Sequence, residues 1–147
     1  MATPFSVIIE SAYATIQDYK LDKILKMDSE IFEAIMTTYI IKGKSRFTKC
    51  IKDLSVDMEQ KVFLSDLDEM EIEIIADYAQ IQWFEREIQN VLAFNGKLKN
   101  REFDRFSEAQ NLKEKKDYLI VLEEKVSQLV TDYKISHQNS WLDNFKL

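Results

Sequence analysis

Gly43, Gly96 and Pro4 are the only glycine and proline residues in 147 positions, and this shortage limits the possible folds more than any other feature of the chain. Sheets with many tight turns need the φ values these residues supply, so an all-β fold would lack its turn chemistry. Long helices are the remaining economical choice. A chain of 147 residues with 46% hydrophobic content can build one core, and a single domain is expected. No run of about 18 uncharged apolar residues occurs, and the opening MATPFSVIIESAY has no basic region before its apolar one, so neither a membrane span nor a signal peptide is expected. Cys50 has no second cysteine to pair with or to share a metal. It reads as a small buried apolar residue in a reducing compartment.

The helical periods can be followed along the chain. Thr3 before Pro4 suggests a hydroxyl cap and a pre-shaped first position, opening a helix from about Pro4 to Asp18 with Phe5, Ile8, Ile9, Ala12 and Ile16 on one stripe. YKLDKILKM, partly helical, joins it to a second helix. Asp28 or Ser29 caps that helix, Ile31 or Phe32, Ile35, Met36, Tyr39 and Ile40 form its stripe, and Gly43 stands where it would end. Residues 46–65 lose the helical period and gain β-branched and aromatic residues, which suggests a loop with two short strands. Ser107 is placed to cap a last helix running to about Tyr133. Its seam Leu112, Leu119, Leu122, Val126, Leu129 and Tyr133 has the spacing of a bundle. The expected class is all-α: a four-helix bundle-like subunit over residues 1–137, with an irregular or hairpin insertion at 46–65 and an extended tail at 138–147.

The segment DLDEMEIEIIADYAQIQWFERE (66–87) is the most informative helix. Asp66 is placed to cap it, and Asp68, Glu69 and Glu71 suit the positive end of its dipole. Ile72, Ile75, Ala76, Ala79 and Trp83 make one apolar stripe, and Met70, Ile74, Tyr78, Ile81 and Ile88 make another. A helix apolar on two sides is packed on two sides, either at the centre of its own bundle or with one side left for another subunit. Beyond it, VLAFNGKLKNREFDRFS reads as a turn-rich connection around Asn95 and Gly96.

The net charge of −6 is unevenly placed. KGKSRFTKCIK (42–52) is basic without an acid, and the acidic segment follows it closely, so the surface is dipolar and suited to charged partners or to copies of itself. Lys42, Lys44, Arg46 and Lys49 are therefore candidate partner-binding residues. The plain alternative is a solvated loop beside a solvated helix face. Trp141, Leu142, Phe145 and Leu147 are candidates for a docking tail, because a short segment cannot bury four large apolar groups by itself; folding back on the bundle is the alternative. Catalysis has little to draw on. No glycine-rich loop cradles a phosphate, His137 is a lone histidine suited to a helix end, and Glu69 and Glu73 lack the Glu-x-x-His partners of carboxylate metal sites. No enzyme activity, cofactor or metal is expected. A dedicated nucleic-acid reader would be basic overall or carry a reader motif, and this chain does neither.

The order of segments resembles a family of small virion proteins of tailed bacteriophages similar to head–tail connector (neck) adaptors. The resemblance rests on T-P-F-S (Thr3 to Ser6), C-I-K-D-L-S (Cys50 to Ser55), Phe63 before Asp66-Leu67, E-I-E-I-I-A (Glu71 to Ala76), Trp83-Phe84-Glu85, Phe103, Phe106-Ser107 and a charged closing helix, over roughly residues 3–135. It departs at Arg86, close to where relatives carry proline, which implies a longer third helix. The resemblance implies a non-enzymatic subunit in a closed ring of about twelve copies, bound to the portal protein on one side and to the next neck or tail component on the other. Genomic DNA would pass through non-specifically. The place implied is the neck of the virion, after assembly in the bacterial host cytoplasm, without a membrane partner. Another phage tail or neck assembly protein, or a small DNA-associated regulator, is the alternative reading.

Overall fold

The structure is a computed structural model describing residues 2–16, 19–97 and 102–143, with side chains described except at 15, 19–21, 91–97, 102–111 and 138–143. The described residues are mainly helical, with a small three-stranded sheet. In chain order they form β1 (Thr3–Pro4), α1 (Phe5–Thr15), α2 (Tyr19–Met27), α3 (Ser29–Arg46), β2 (Val56–Asp57), β3 (Val62–Phe63), α4 (Glu69–Lys97) and α5 (Glu102–Asp143). The expected four helices become five, because the segment between the first two is itself helical.

α4 is the axis of the molecule. It packs against α1, α3 and α5, and both of its apolar stripes are used within the chain. On the first stripe Ile75 and Ala79 meet α3 at Gly43. On the second, Ile81 with Tyr78 at its edge packs on Leu122 and Val126 of α5. The second side is thus covered by the chain's own last helix, and of the two ways to pack a two-sided helix the central position is the one observed. α4 and α5 run antiparallel, as Glu87 meets Lys115, Asp77 meets Lys125 and Glu71 meets Tyr133. The expected α5 seam holds from Leu119 to Tyr133: Leu122, Val126 and Tyr133 are buried, and Leu119 and Leu129 pack at its edges, whereas Leu112 is half-buried and joins neither core cluster of the described residues.

The insertion at 46–65 folds as the expected hairpin, but its sheet has a third strand. β3 is central, antiparallel to both β2 and β1, with Phe63 opposite Val56 on one side and Thr3 on the other. In the hairpin loop the Asp57 carboxylate accepts from the Glu59 and Gln60 N–H groups, and Lys61 takes the left-handed backbone (φ 56°) that returns the chain. Thr3 therefore does not cap α1, whose N-cap is Pro4 without a side-chain bond. Its hydroxyl donates to the Ser65 carbonyl at 3.0 Å and accepts from the Leu67 N–H at 2.9 Å, stapling the N-terminus to the approach to α4. Phe5 then meets Phe63 edge-on at 5.3 Å.

Other helix ends also differ from the sequence reading. Asp28 caps α3 as expected, accepting from Glu30 and Ile31. α4 is capped by Asp68 rather than Asp66: its carboxylate accepts the Glu71 N–H while Glu71 accepts the Asp68 N–H, a reciprocal capping box. α4 runs through Asn95 and Gly96 to Lys97, in keeping with the longer helix implied at Arg86, and α5 begins at Glu102, so Ser107 lies inside it. At its far end α5 continues past Tyr133 to Asp143, where an extended tail was expected.

Gly43 does not end α3 either, since the helix continues to Arg46. It is where α3 and α4 touch. A Cβ there would lie 2.8 Å from the Ala79 nitrogen and 3.1 Å from the Ile75 carbonyl oxygen, both backbone atoms that cannot swing aside. Gly43→Ala gains about 1 kcal/mol of helix propensity but forces the helices apart at a cost of about 1–3 kcal/mol. A net loss of stability is expected, visible as a lower urea midpoint by circular dichroism with the slope unchanged.

Candidate interaction surface

The basic segment starts on the last turns of α3 and ends in the loop after it, and its four candidate cations have different employment. Lys44 donates to the Leu54 carbonyl at 3.0 Å, holding the loop to the helix. Arg46 reaches α4, bonding Glu85 at 2.8 Å and facing the Gln82 amide oxygen. Lys42 and Lys49 are exposed. So the structure spends two of the four cations partly on the fold, while Lys42 lines an open cleft with Gln82, Glu85, Arg86 and Gln89. Arg86 is fixed there by a 2.8 Å bond to the Tyr39 hydroxyl. The sequence reading missed Arg86 as part of this surface; its spacing from Gln82 and Gln89 on one helical face was the available signal. The side chains of Trp141, Leu142, Phe145 and Leu147 lie outside the described residues.

The same segment ends in a buried polar junction. Glu71 is fully buried. One oxygen of its carboxylate accepts from the Asp68 N–H at 2.9 Å and pairs with the Lys52 ammonium at 2.7 Å. The other accepts from the Tyr133 hydroxyl at 2.8 Å and the Cys50 thiol at 3.4 Å. Tyr133 in turn accepts the Ile51 N–H at 3.1 Å, and Lys52 also donates to the Asp66 carbonyl. Cys50 is thus half-buried in a polar network, where an apolar core site was expected. His137, within α5, sets Nδ1 against the Tyr133 carbonyl at 2.8 Å with its ring 4.2 Å from the tyrosine ring.

Burial alone would raise the Glu71 pKa, but the Asp68 amide, the Lys52 ammonium, the Tyr133 hydroxyl and the Cys50 thiol more than reverse that and hold it below the ordinary glutamate value. Burial pushes both the Cys50 thiol and the Tyr133 phenol upward, and the neighbouring carboxylate adds to each shift. The thiol is therefore held protonated, a donor more than a nucleophile. The junction joins the post-α3 loop, the start of α4 and the end half of α5, and its chemistry is structural.

A second carboxylate, Asp77, is buried between α4 and α5. Its Oδ2 lies 3.2 Å from Lys125, which also pairs with Glu73 at 3.3 Å. Burial raises the Asp77 pKa, and Lys125 only partly offsets it. Glu73, expected on a solvated acidic face, is thus half of a bridge to α5.

These two arrangements describe a mainly helical protein whose charged groups tie its helices together and leave one basic cleft open. Compared with models of known protein families, with characterised proteins and with solved structures, the chain matches none of them.

The Glu71 junction is testable through pH. A folded pKa below the unfolded value of about 4.3 means that Glu71 favours the fold above that value and loses its contribution as pH falls through the lower folded value. Glu71→Gln should flatten this part of the acid limb of stability. Tyr133→Phe leaves the Ile51 N–H without its acceptor and should cost about 1–3 kcal/mol at neutral pH. Urea melts between neutral and acid pH check both, and an unchanged acid limb in Glu71→Gln would contradict the assignment.

Proposed function

We propose that this chain is a head–tail connector adaptor of a tailed bacteriophage. It would be a non-enzymatic bundle subunit repeated as a ring beneath the portal, joined on its other side to the next neck or tail component, with DNA passing through the channel. What carries the reading is that the stretches quoted for the resemblance touch one another. Thr3 of T-P-F-S accepts the Leu67 N–H across 64 residues of chain and Phe5 meets Phe63 edge-on. Cys50, Ile51 and Lys52 of C-I-K-D-L-S share a junction with Glu71 of E-I-E-I-I-A. A pattern whose members are in mutual contact supports a common tertiary plan, where scattered core residues would support only helical composition.

Within this reading, Lys42 and Lys49 are the two of the four candidate cations left to meet a partner, and the tail from Gln138 to Leu147 docks on the portal or an adjacent subunit. Virions purified from the phage that encodes the chain should contain it in multiple copies at the neck. Suppressing its synthesis should leave filled heads and unattached tails. Virions without the protein, together with its retention on heparin at moderate salt, would instead favour a DNA-associated regulator and overturn the proposal.

A further inference from the structure

Two clefts flank α4, and they differ in sign. Glu69, Glu73 and Asp77 border one, of about 350 Å³, together with Val7 of α1 and Lys125 of α5. Lys42 of α3 borders the other, of about 260 Å³, with Gln82, Glu85, Arg86 and Gln89. In the first, Lys125 is shared between Glu73 and Asp77, one cation against three carboxylates. In the second, Glu85 is occupied by Arg46, leaving Lys42 and Arg86 as the outward cations. The acidic cleft also holds an unfilled acceptor: Asp77 is 3% exposed, and its Oδ2 receives no well-aligned hydrogen bond even though the Lys125 nitrogen is 3.2 Å away. Val7, 41% exposed, supplies apolar surface at the cleft's edge.

The clefts also face in opposite directions. Glu73 and Gln82 are separated by roughly two and a half turns of one helix, which puts them on opposite sides of α4. Resting on the reading of the chain as a self-associating ring subunit, we propose that the two clefts bind each other in successive copies, with Lys42 and Arg86 of one copy set against Glu69, Glu73 and Asp77 of the next. The complementary charge specifies the occupant as a second copy of this chain. The opposed directions specify a head-to-tail contact, since a two-fold axis cannot bring both sets together while they sit on opposite sides of the same helix. Such a contact repeats from subunit to subunit and ends only when a ring closes. In a ring of many subunits the two contact faces of each must stand nearly opposite, as these do.

Disulfide trapping tests the pairing without requiring a stable free oligomer. On a Cys50→Ser background, Lys42→Cys and Glu69→Cys place single thiols at two exposed positions, while Arg86 and Glu73 keep a charge in each cleft. A chain carrying both thiols should form, under mild oxidation, a ladder of linked species longer than a dimer. An equimolar mixture of the two single variants should give dimers well above the yield of either alone. Arg86→Glu, with helical circular dichroism unchanged, should reduce the ladder about tenfold, equivalent to about 1.4 kcal/mol per contact. Raised salt should weaken it as well. Products that stop at the dimer, or single variants that link to themselves as readily as to each other, would overturn the proposal. If virions carry the protein in many copies and the ladder fails, the interface is wrong and the adaptor reading stands. A ladder from a protein absent from virions means the reverse.

Discussion

The closeness of α3 to α4 at Gly43 sets the geometry on which the rest of the molecule rests. Backbone stands against backbone at Ala79, so α3 can come no closer, and the small side chains of Ala76 and Ala79 leave no spacer to hold it further out. That approach puts the end of α3 beside the middle of α4, which allows Arg46 to reach Glu85 and Tyr39 to hold Arg86. It also aims the chain leaving α3 back towards the start of α4, where Lys52 finds Glu71. A wider crossing would move all three contacts together, because they share one rigid pair of helices.

The buried charges are distributed by the same logic. Glu71 is surrounded by donors from three separate segments, and its ionised form is favoured despite burial. Asp77 has one strong neighbour and an unfilled oxygen, and its ionised form is disfavoured. Both are carboxylates facing inward from α4, yet one is complete and the other is not. A complete network specifies a fold, whereas an incomplete one leaves capacity for a ligand.

Much of the helical pattern could be read from residues. The two stripes of α4, the seam of α5, the Asp28 cap and the hairpin all follow from local period and turn chemistry, which depend on neighbours in sequence. What escaped depended on neighbours in space. Thr3 before Pro4 has the local form of a helix cap, but a strand from 62 residues away supplied better partners. Gly43 has the form of a helix stop, and only the position of α4 shows that the missing Cβ is needed for contact. Gly96 has the same form and also lies within a helix. Of the candidate surface, the positive patch was legible as a run of lysines and arginines. Its division into cations committed to the fold and cations left outward was not, because Leu54 and Glu85 become neighbours only on folding. Glu71 was readable as a first-turn acid; its burial required Tyr133.

The sharing of Tyr133 with Glu71 has a consequence for synthesis. Their bond closes a loop of 62 residues and depends on the last helix, so it forms after α1 to α4 have left the ribosome. Until then the nascent chain exposes the Ile81 side of α4 and carries a carboxylate short of one of its donors. A chain broken off before Leu122 would keep that greasy strip bare and be recognisable to chaperones and proteases as unfinished. Synthesis of α5 and completion of the core are thereby made the same event.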